Sequence, residues 1–258
     1  MCRPTFFDVE YEINPWMHTN NGVDKQLALT QWQKIYDIYT KDLGWQVELI
    51  DPVEGLPDMV FTANGGLVIN DKVALPNFRQ ADRQGETAHF TDWFKANGYQ
   101  DTKLPKYNFE GEGDALLWKN ILFAGFPWRS DRPSYVELAN YFGIDVASVQ
   151  LADARFYHLD TCFTPINQDT VALFPGAFTE QSLDLIRSIV PHVIEASEAD
   201  AVAYGLNAMC DGQNIVLSDA ATGLIDTYRN LGLNVYPTPI SEFQKSGGGV
   251  KCLTLELR

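Results

Sequence analysis

Residues 109–127, FEGEGDALLWKNILFAGFP, decide the fold. The stretch begins with an acidic, Gly-rich loop, continues as an alternating apolar run, turns at WKN and ends in a second apolar run. A loop followed by two apolar runs around a short turn is typical of a β-hairpin. Four further segments follow the same plan: PDMVFTANGGLVINDKVALP (57–76), YHLDTCFTPINQDTVALFPG (157–176), GLNAMCDGQNIVLSDA (205–220) and GGGVKCLTLELR (247–258).

The five segments recur at a regular distance along the chain. They can be marked, roughly 42–50 residues apart, by Asn64, Asp114, Asp160, Cys210 and Cys252. Helical patterns lie between the hairpins, at 84–96, 134–142, 180–189 and 220–231. Gly98, Gly143 and Gly232 follow three of these patterns as stop signals. The repeated unit is therefore ββαβ, with the last segment, LTLELR, expected to form a strand.

Units of this kind close around an axis because one unit alone cannot bury its apolar faces. The sequence thus predicts an α/β fold in the form of a five-bladed, pseudo-symmetric propeller, with residues 1–258 as one domain. A doubly wound sheet is the competing architecture, since strands and helices alternate there as well. No G-x-G-x-x-G opens a helix after the first strand, so the closed ring is favoured.

Composition and charge exclude several classes of function. The net charge of −15 argues against nucleic acid binding, which requires clustered Lys and Arg. No apolar run is long enough to span a membrane, and the start of the chain does not resemble a secretory signal, so we expect a cytoplasmic protein. The four cysteines are widely spread, with no spacing that indicates a disulfide framework or a zinc site.

Chemically active side chains lie at the entrance of each hairpin. Cys252 follows three glycines that allow a ligand to approach the backbone closely. His158 and Asp160 are two residues apart and would share one face of a strand, where imidazole and carboxylate suit general acid–base work. Each of these residues, taken alone, is more often structural than catalytic. Their shared position at the entrance of a repeat unit favours a functional site. The remaining candidates at these entrances are Asp58, Phe61, Asn64, Glu110, Glu112 and Asp114.

The motifs PDMVFTAN, FEGEGD, HLDT and a late GGGVKC, in this order, resemble the arginine-modifying pentein superfamily over nearly the whole chain. That superfamily holds arginine deiminases, dimethylarginine hydrolases, amidinotransferases and arginine dihydrolases, and its fold is a five-bladed α/β propeller. INPWM near the N-terminus and FTAN resemble the dihydrolases, which convert arginine to ornithine, carbon dioxide and two ammonia molecules.

The resemblance implies a role for each candidate. Cys252 would attack the guanidinium carbon and form a covalent thiouronium, and His158 would protonate the departing ammonia and then activate water. Asp160 and Glu110 would bind the guanidinium nitrogens. In the same way the resemblance assigns the α-amino group to Asp58 and the α-carboxylate to Arg129 and Arg83, and counts Phe61, Glu112 and Asp114 among the residues around the substrate.

Two departures from the family pattern bear on the reaction. Asn64 stands where deiminases and dimethylarginine hydrolases usually carry an acid. An amide donates as well as accepts, which suits a neutral ureido intermediate, so we expect a second hydrolysis with Asn64 and Asn14 involved. The second departure is Gly111, which occupies the position of the usual acid, so Glu110 and Glu112 both stay open for that role.

The main expectation is therefore hydrolysis of free arginine, ending at ornithine or stopping at citrulline. A dimethylarginine hydrolase is the alternative, although Asp160 counts against it because such enzymes generally lack that Asp. An amidinotransferase and a non-catalytic propeller that only binds partners are further alternatives. The expected partner is a small guanidino compound, with no metal and no organic cofactor. The sequence leaves a homo-oligomer open.

Overall fold

The computed structural model describes residues 1–258 and contains four three-stranded sheets of one design. In each sheet two strands form an antiparallel hairpin, and a third strand, reached through a helix, pairs parallel with the second. The twelve strands are β1 Leu67–Ile69, β2 Lys72–Ala74, β3 Asp101–Lys103, β4 Ala115–Trp118, β5 Ile121–Phe126, β6 Asp145–Gln150, β7 Phe163–Pro165, β8 Thr170–Leu173, β9 His192–Glu195, β10 Met209–Cys210, β11 Asn214–Ser218 and β12 Asn234–Thr238. The predicted ββαβ unit is thus present four times.

The hairpin turns follow from the residues at their tips. Asn70 and Asp71, which connect β1 to β2, both have positive φ values, of 50° and 62°. Two consecutive residues in this conformation form the type of turn whose twist matches that of a two-stranded hairpin, and Asn and Asp tolerate it better than most side chains. Lys119 between β4 and β5 also has a positive φ, of 56°.

Seven α-helices accompany the sheets: α1 Lys25–Asp37, α2 Glu86–Ala96, α3 Arg132–Phe142, α4 Glu180–Ile189, α5 Glu198–Val202, α6 Thr222–Asn230 and α7 Ser241–Gln244. Four of them, α2, α3, α4 and α6, connect the second and third strands of their sheets as the sequence predicts. The bounds of α4 agree with the predicted ones, and α3 begins two residues earlier than predicted. That earlier start places Pro133 in the first turn of α3, where its missing N–H costs nothing.

The ends of the chain do not form a fifth sheet. Residues 1–50 contain α1 but no strand. Their only β-type pairing is an isolated parallel bridge between Cys2 and Ile50. The expected strand over LTLELR is wrong, since residues 254–258 have no regular structure. The reason is that their polar groups are bound elsewhere: the Glu256 N–H donates to the carboxylate of Glu112 at 3.0 Å.

Five buried turns meet at the centre of the molecule, and hydrogen bonds join them into a closed circuit. We call them the central turns; they comprise residues 61–66, 110–114, 158–162, 205–208 and 247–254. Five bonds connect each turn to the next: Glu112 N to Gly66 O at 3.0 Å, Leu159 N to Asp114 Oδ1 at 3.2 Å, Asn207 Nδ2 to Asp160 O at 3.0 Å, Lys251 N to Asn207 O at 3.2 Å and Ala63 N to Cys252 O at 3.1 Å. The hydrophobic clusters surround this circuit.

One helix carries the N-terminal part of the chain onto the central turns. Trp32 and Ile35 of α1 are fully buried in a cluster that also contains Phe61, Phe243 and Cys252. Asp24 caps α1 by accepting the N–H of Leu27 at 3.0 Å. No helix of the structure is both long and apolar enough for a transmembrane segment.

The circuit makes a prediction about Gly111. Its φ is +59°, and a Cβ built there would lie 2.5 Å from the carbonyl oxygen of Ala63. Gly111→Ala therefore adds left-handed strain and a backbone clash, and we expect it to lower the free energy of unfolding by about 3 kcal/mol. Gly143→Ala is the matched control, because Gly143 has a similar φ of +70° but no atom within 4 Å of its built Cβ.

The control should cost only about 1 kcal/mol, the strain alone. Urea unfolding of both variants followed by circular dichroism measures the difference. Equal destabilisation of the two variants would mean that the close approach at Gly111 is unimportant.

Candidate active site

Cys252 lies on the fifth central turn, three residues after the glycine loop 247–249, and its side chain is buried. Its Sγ is 3.2 Å from Oδ2 of Asp160 and accepts a hydrogen bond from Nδ2 of Asn207 at 3.1 Å. Burial raises the pKa of the Cys252 thiol well above its usual value, and the nearby Asp160 raises it further. In this state the thiol is neutral, and its S–H donates a hydrogen bond to the carboxylate of Asp160.

Asp160 is fully buried on the third central turn. Burial raises the pKa of its carboxyl group to about 7, while the contacts with Cys252 and Lys251 oppose the shift. Its Oδ1 makes no hydrogen bond within the protein. One oxygen therefore faces the reactive thiol, and the other stays available for a ligand.

His158 contacts Glu110 across the second and third central turns. Its Nε2 is 2.8 Å from Oε2 of Glu110, and that same oxygen accepts a hydrogen bond from Nη1 of Arg129 at 3.0 Å. Burial lowers the pKa of His158 to about 4, although Glu110 favours the protonated form. Burial also opposes ionisation of Glu110, but Arg129 and His158 overcome it and hold its pKa well below the usual range. At neutral pH the pair is a neutral imidazole beside a carboxylate.

The Glu110 carboxylate is further fixed by its other oxygen, Oε1, which accepts the backbone N–H of Arg79 at 3.2 Å. Arg129, besides pairing with Glu110, donates to the carbonyl oxygen of Ile13 at 3.0 Å and lies over the ring of Tyr157. These contacts link Arg129 to the N-terminal loop, where the sequence placed a second candidate, Asn14. Asn14 donates to the carbonyl oxygen of Ser246 at 3.1 Å.

Asn64 lies on the first central turn, and its amide orientation follows from its partners. Oδ1 accepts a hydrogen bond from Nη1 of Arg83 at 2.7 Å, and Nδ2 donates to the carbonyl oxygen of Glu110 at 3.3 Å. Gly113 leaves the space between this amide and His158, because a Cβ there would be 2.2 Å from Nδ2 of Asn64 and 3.2 Å from the imidazole ring. Asn64 and His158 therefore lie on either side of one glycine.

The Arg83 guanidinium is engaged on all sides by protein groups. It forms a bidentate pair with Glu86 at 2.7 and 2.8 Å and donates to Asn64 and to the carbonyl oxygen of Asp58. Burial raises the pKa of Glu86 to about 7 despite this pair. Its contacts support Asn64, and none of them favours the predicted role of Arg83 in binding a carboxylate, which stays a prediction.

Asp58 and Phe61 border the glycine loop. The carboxylate of Asp58 accepts hydrogen bonds from Tyr11 and Ser246, both at 3.0 Å. Phe61 packs so tightly on Gly248 that a Cβ built there would be 2.2 Å from its ring. Both residues thus lie beside the loop that carries Cys252, as their position at a hairpin entrance predicts.

The three acids of FEGEGD separate in the structure. Only Glu110 contacts His158, whereas Glu112 pairs with Nζ of Lys251 at 2.6 Å. Asp114 accepts the backbone N–H of Leu159 and so links two central turns. Burial raises the pKa of Asp114 well above its usual value. Of these acids, Glu110 therefore lies beside the candidate base His158, and the other two link central turns. No group of three or more His, Cys, Asp or Glu side chains is arranged to hold a metal ion.

Asn207 is the site residue that the sequence reasoning missed. The marker for the fourth repeat was Cys210, yet the Cys210 thiol points to the carbonyl oxygen of Ile166, away from Cys252. Asn207 lies two residues before the first strand of its hairpin, the position that Gly113 and Thr161 occupy in their repeats. The equivalent residues in those repeats are not polar site residues, so no signal in the sequence singles out Asn207.

The sequence profile of the family described as N,N dimethylarginine dimethylhydrolase, eukaryotic, matches residues 8–258. An N(G),N(G)-dimethylarginine dimethylaminohydrolase of Mycobacterium tuberculosis is 40% identical over 257 residues, which cover 100% of this chain and 84% of that protein. The bifunctional arginine dihydrolase/ornithine cyclodeaminase AgrE of Nostoc is 42% identical over 263 residues, covering 100% of this chain but 37% of AgrE.

Solved structures of related proteins have the same fold. The N-terminal domain of ArgZ, covalently bound to a reaction intermediate, superposes with a TM-score of 0.94 at 38% identity, covering 99% of this chain and 95% of that one. The same domain, described as an arginine dihydrolase from the ornithine–ammonia cycle in cyanobacteria, has also been solved with its product, with a TM-score of 0.93. The agreement extends over 99% of this chain. The chain therefore belongs to the N,N-dimethylarginine dimethylhydrolase family, whose relatives are pentein-type enzymes.

Proposed function

We propose that this chain hydrolyses the guanidinium group of free arginine through a covalent intermediate on Cys252 and continues to ornithine, carbon dioxide and two ammonia molecules. The observation that carries the proposal is the buried Cys252 thiol, which touches a carboxylate, Asp160, whose second oxygen has no protein partner. The similarity to AgrE and to the ArgZ domain, both described as arginine dihydrolases, supports it.

The charges buried around the central turns favour a cationic substrate. The carboxyl groups in this region are Asp58, Glu86, Glu110, Glu112, Asp114 and Asp160, and the cations are Arg83, Arg129 and Lys251. Acids therefore outnumber bases, and burial raises the pKa of Asp160 to about 7 although Lys251 opposes the shift. A guanidinium beside Asp160 would supply the missing positive charge through charge-assisted hydrogen bonds.

The first half of the reaction uses the thiol, the carboxylate and the imidazole. Once a guanidinium offsets the charge of Asp160, ionisation of Cys252 becomes easier, and the thiolate attacks the guanidinium carbon. A C–S bond forms, a C–N bond breaks, and the proton from the thiol leaves with ammonia by way of His158. The neutral His158, whose Nδ1 has no hydrogen-bond partner in the protein, then takes a proton from water as that water displaces the sulfur and yields citrulline.

The second half repeats these steps on the neutral ureido group. Thiolate attack on its carbon expels the second ammonia, and water then releases a carbamate that loses carbon dioxide to give ornithine. Asn64 is suited to this half, because Arg83 fixes its oxygen and so directs its NH2 group toward Glu110 and the site. One N–H binds the Glu110 carbonyl, and the other can donate to a ureido oxygen, which a carboxylate at this position cannot do.

We propose that the ends of the chain complete a five-bladed propeller, because the circuit of hydrogen bonds passes through five central turns although only four carry a complete sheet. We also propose that the chain is a single catalytic domain, that it is cytoplasmic and that it has no nucleic acid partner. The net charge of −15 supports the last point. The α-amino group is assigned to Asp58 and the α-carboxylate to Arg129.

The products of arginine test the proposal. Incubation of the protein with L-arginine, followed by mass spectrometry and an ammonia assay, should give ornithine with two ammonia molecules per arginine consumed. Cys252→Ser is the control and should give neither. Citrulline as the sole product would instead identify a deiminase.

Two further outcomes would assign another reaction. The M. tuberculosis relative carries the name of a dimethylarginine hydrolase. Release of dimethylamine from dimethylarginine, with arginine left intact, would make that the activity. Transfer of the amidino group to an added amine such as glycine in preference to water would indicate an amidinotransferase.

A second prediction concerns Asn64. Asn64→Asp removes the N–H donor proposed for the ureido oxygen, so citrulline should accumulate and the rate of ornithine formation should fall on the order of 100-fold. Liquid chromatography of the products over time measures both. Asn120→Asp, on the exposed β4–β5 turn, adds the same charge outside the site and should leave the product ratio unchanged. An unaltered ratio in Asn64→Asp would exclude Asn64 from the second half.

A third prediction separates the two glutamates. Glu110→Gln weakens the contacts with His158 and Arg129, and we expect kcat to fall by about 100-fold or more. Glu112→Gln leaves Lys251 buried without its full counter-charge, so it should cost about 3–5 kcal/mol of stability while kcat stays within roughly tenfold. Urea unfolding and turnover at a temperature where both variants are folded measure the two effects. The reverse order of the kcat losses would transfer the catalytic role to Glu112.

A further inference from the structure

Asn207, on the fourth central turn, is fully buried and contacts the fifth turn through both ends of its side chain. Its Oδ1 accepts the backbone N–H of Cys252 at 3.0 Å. Its Nδ2 donates to the carbonyl oxygen of Asp160 at 3.0 Å and to Sγ of Cys252 at 3.1 Å. One amide therefore binds the nucleophile at two of its atoms and the neighbouring acid at a third.

The orientation of this amide is fixed by its backbone partners. A flipped amide would place NH2 against the N–H of Cys252 and Oδ1 against the carbonyl oxygen of Asp160, so two hydrogen bonds would become two repulsive contacts in a buried site. The observed orientation is therefore the only one that satisfies both backbone groups. It necessarily directs an N–H at the sulfur.

The rest of the loop that carries Cys252 also rests on Asn207. The backbone N–H of Lys251 donates to the Asn207 carbonyl oxygen at 3.2 Å. Gly249 approaches so closely that a built Cβ would be 2.8 Å from Oδ1 of Asn207. The glycine loop is thus shaped to bring the sulfur to this amide.

The sulfur has polar neighbours with opposite electrostatic effects. The Asp160 carboxylate accepts the hydrogen bond of the thiol and disfavours the thiolate, whereas the backbone N–H of Gly249 and the side-chain N–H of Asn207 stabilise the thiolate. The other titratable groups nearby are Lys251 on the same turn and the buried phenols of Tyr157 and Tyr204. When a bound cation offsets Asp160, the Asn207 N–H is the side-chain donor that stays on the sulfur.

We infer that Asn207 is a further catalytic residue, which stabilises the Cys252 thiolate by donating a hydrogen bond to Sγ in each round of attack and again when sulfur departs. The inference rests on the proposed function in assuming that Cys252 is the nucleophile, but it does not depend on which guanidino compound is the substrate. It moves no proton: the N–H stays on the amide, and the thiol proton follows the route through His158.

Asn207→Asp tests this role with little change of shape. It keeps an acceptor for the N–H of Cys252 and removes the donor to the sulfur and to the Asp160 carbonyl oxygen. It also adds a carboxylate whose charge disfavours the thiolate in the same direction. The rate of alkylation by iodoacetamide, measured against pH, reports ionisation of the thiol without any need for turnover. We expect the apparent pKa of the Cys252 thiol to rise by about one unit or more, which reduces the thiolate fraction at neutral pH about tenfold. With substrate, kcat should fall and KM should change little.

Thr254→Val is the matched control for the loop. Thr254 donates to the carbonyl oxygen of Val250 at 3.0 Å and also contacts the hydroxyl of Tyr39 at 3.0 Å, but it makes no hydrogen bond to the sulfur. Its substitution therefore disturbs the loop without removing a donor to Sγ. The control should keep the thiol titration of the wild type. A folded Asn207→Asp variant that also keeps this titration would overturn the proposal and leave Asn207 a structural role only.

A measurement on the wild type covers the case in which Asn207→Asp does not fold. The side-chain amide resonances of Asn207 in a ¹⁵N–¹H spectrum should shift with pH together with the alkylation rate, and should lose that titration in Cys252→Ser. Amide resonances that do not respond to ionisation of the thiol would refute the hydrogen bond. If the thiol behaves as expected but arginine is not consumed, only the proposed substrate is wrong.

Discussion

The closed circuit of hydrogen bonds through the five central turns is the constraint on which the rest of the structure depends. Each turn donates one hydrogen bond to the turn before it, and the circuit closes where the backbone N–H of Ala63 donates to the carbonyl oxygen of Cys252 at 3.1 Å. Because the turns are joined to one another at the centre, the hairpins and helices that follow them in the chain lie outside the circuit. A side chain on any turn is thereby fixed relative to the other four, as a preorganised site requires.

The circuit also explains why so many charges are buried at one place. Burying an ion pair gains little stability, since desolvation offsets the attraction, so such pairs commonly serve another purpose. Here Arg83 pairs with Glu86, Arg129 with Glu110, and Lys251 with Glu112. Each pair fixes a residue beside the site: Arg83 fixes Asn64, Glu110 contacts His158, and Lys251 precedes Cys252. Asp160 alone faces the thiol instead of a cation.

Much of the fold was predictable because its signals are local. The hairpin tips Asn70–Asp71 and the stop at Gly143 determine backbone conformation within a few residues, and the repeat then follows from the spacing. The ends of the chain were not predictable in this way, since their partners lie far away in sequence. Glu256 shows the difference: its alternating neighbourhood favours a strand, but its N–H binds Glu112, 144 residues away.

The site shows the same division. Cys252, His158 and Asp160 could be identified from their motifs, but two questions required the closed circuit. The choice between Glu110 and Glu112 concerns residues two apart on one turn, and only the position of the neighbouring turn places His158 against the first. Asn207 has no distinctive motif, because an isolated Asn before a strand is ordinary. Its importance arises from the turn that folds back on it.

The repeat itself suggests how one design yields different chemistry. Glu110 and His158 occupy the same place in successive turns, immediately before the short helical segments 111–113 and 159–161, and they bind each other. Glu112 and Asp160 likewise correspond, and each contacts the fifth turn, Glu112 at Lys251 and Asp160 at Cys252. The partner on the fifth turn makes the difference. The ammonium group of Lys251 forms an ion pair with Glu112 that joins two turns, whereas the thiol of Cys252 does not neutralise the charge of Asp160. In the proposed function, this one difference, an acid that meets a sulfur instead of an amine, is what leaves Asp160 to bind a cationic substrate.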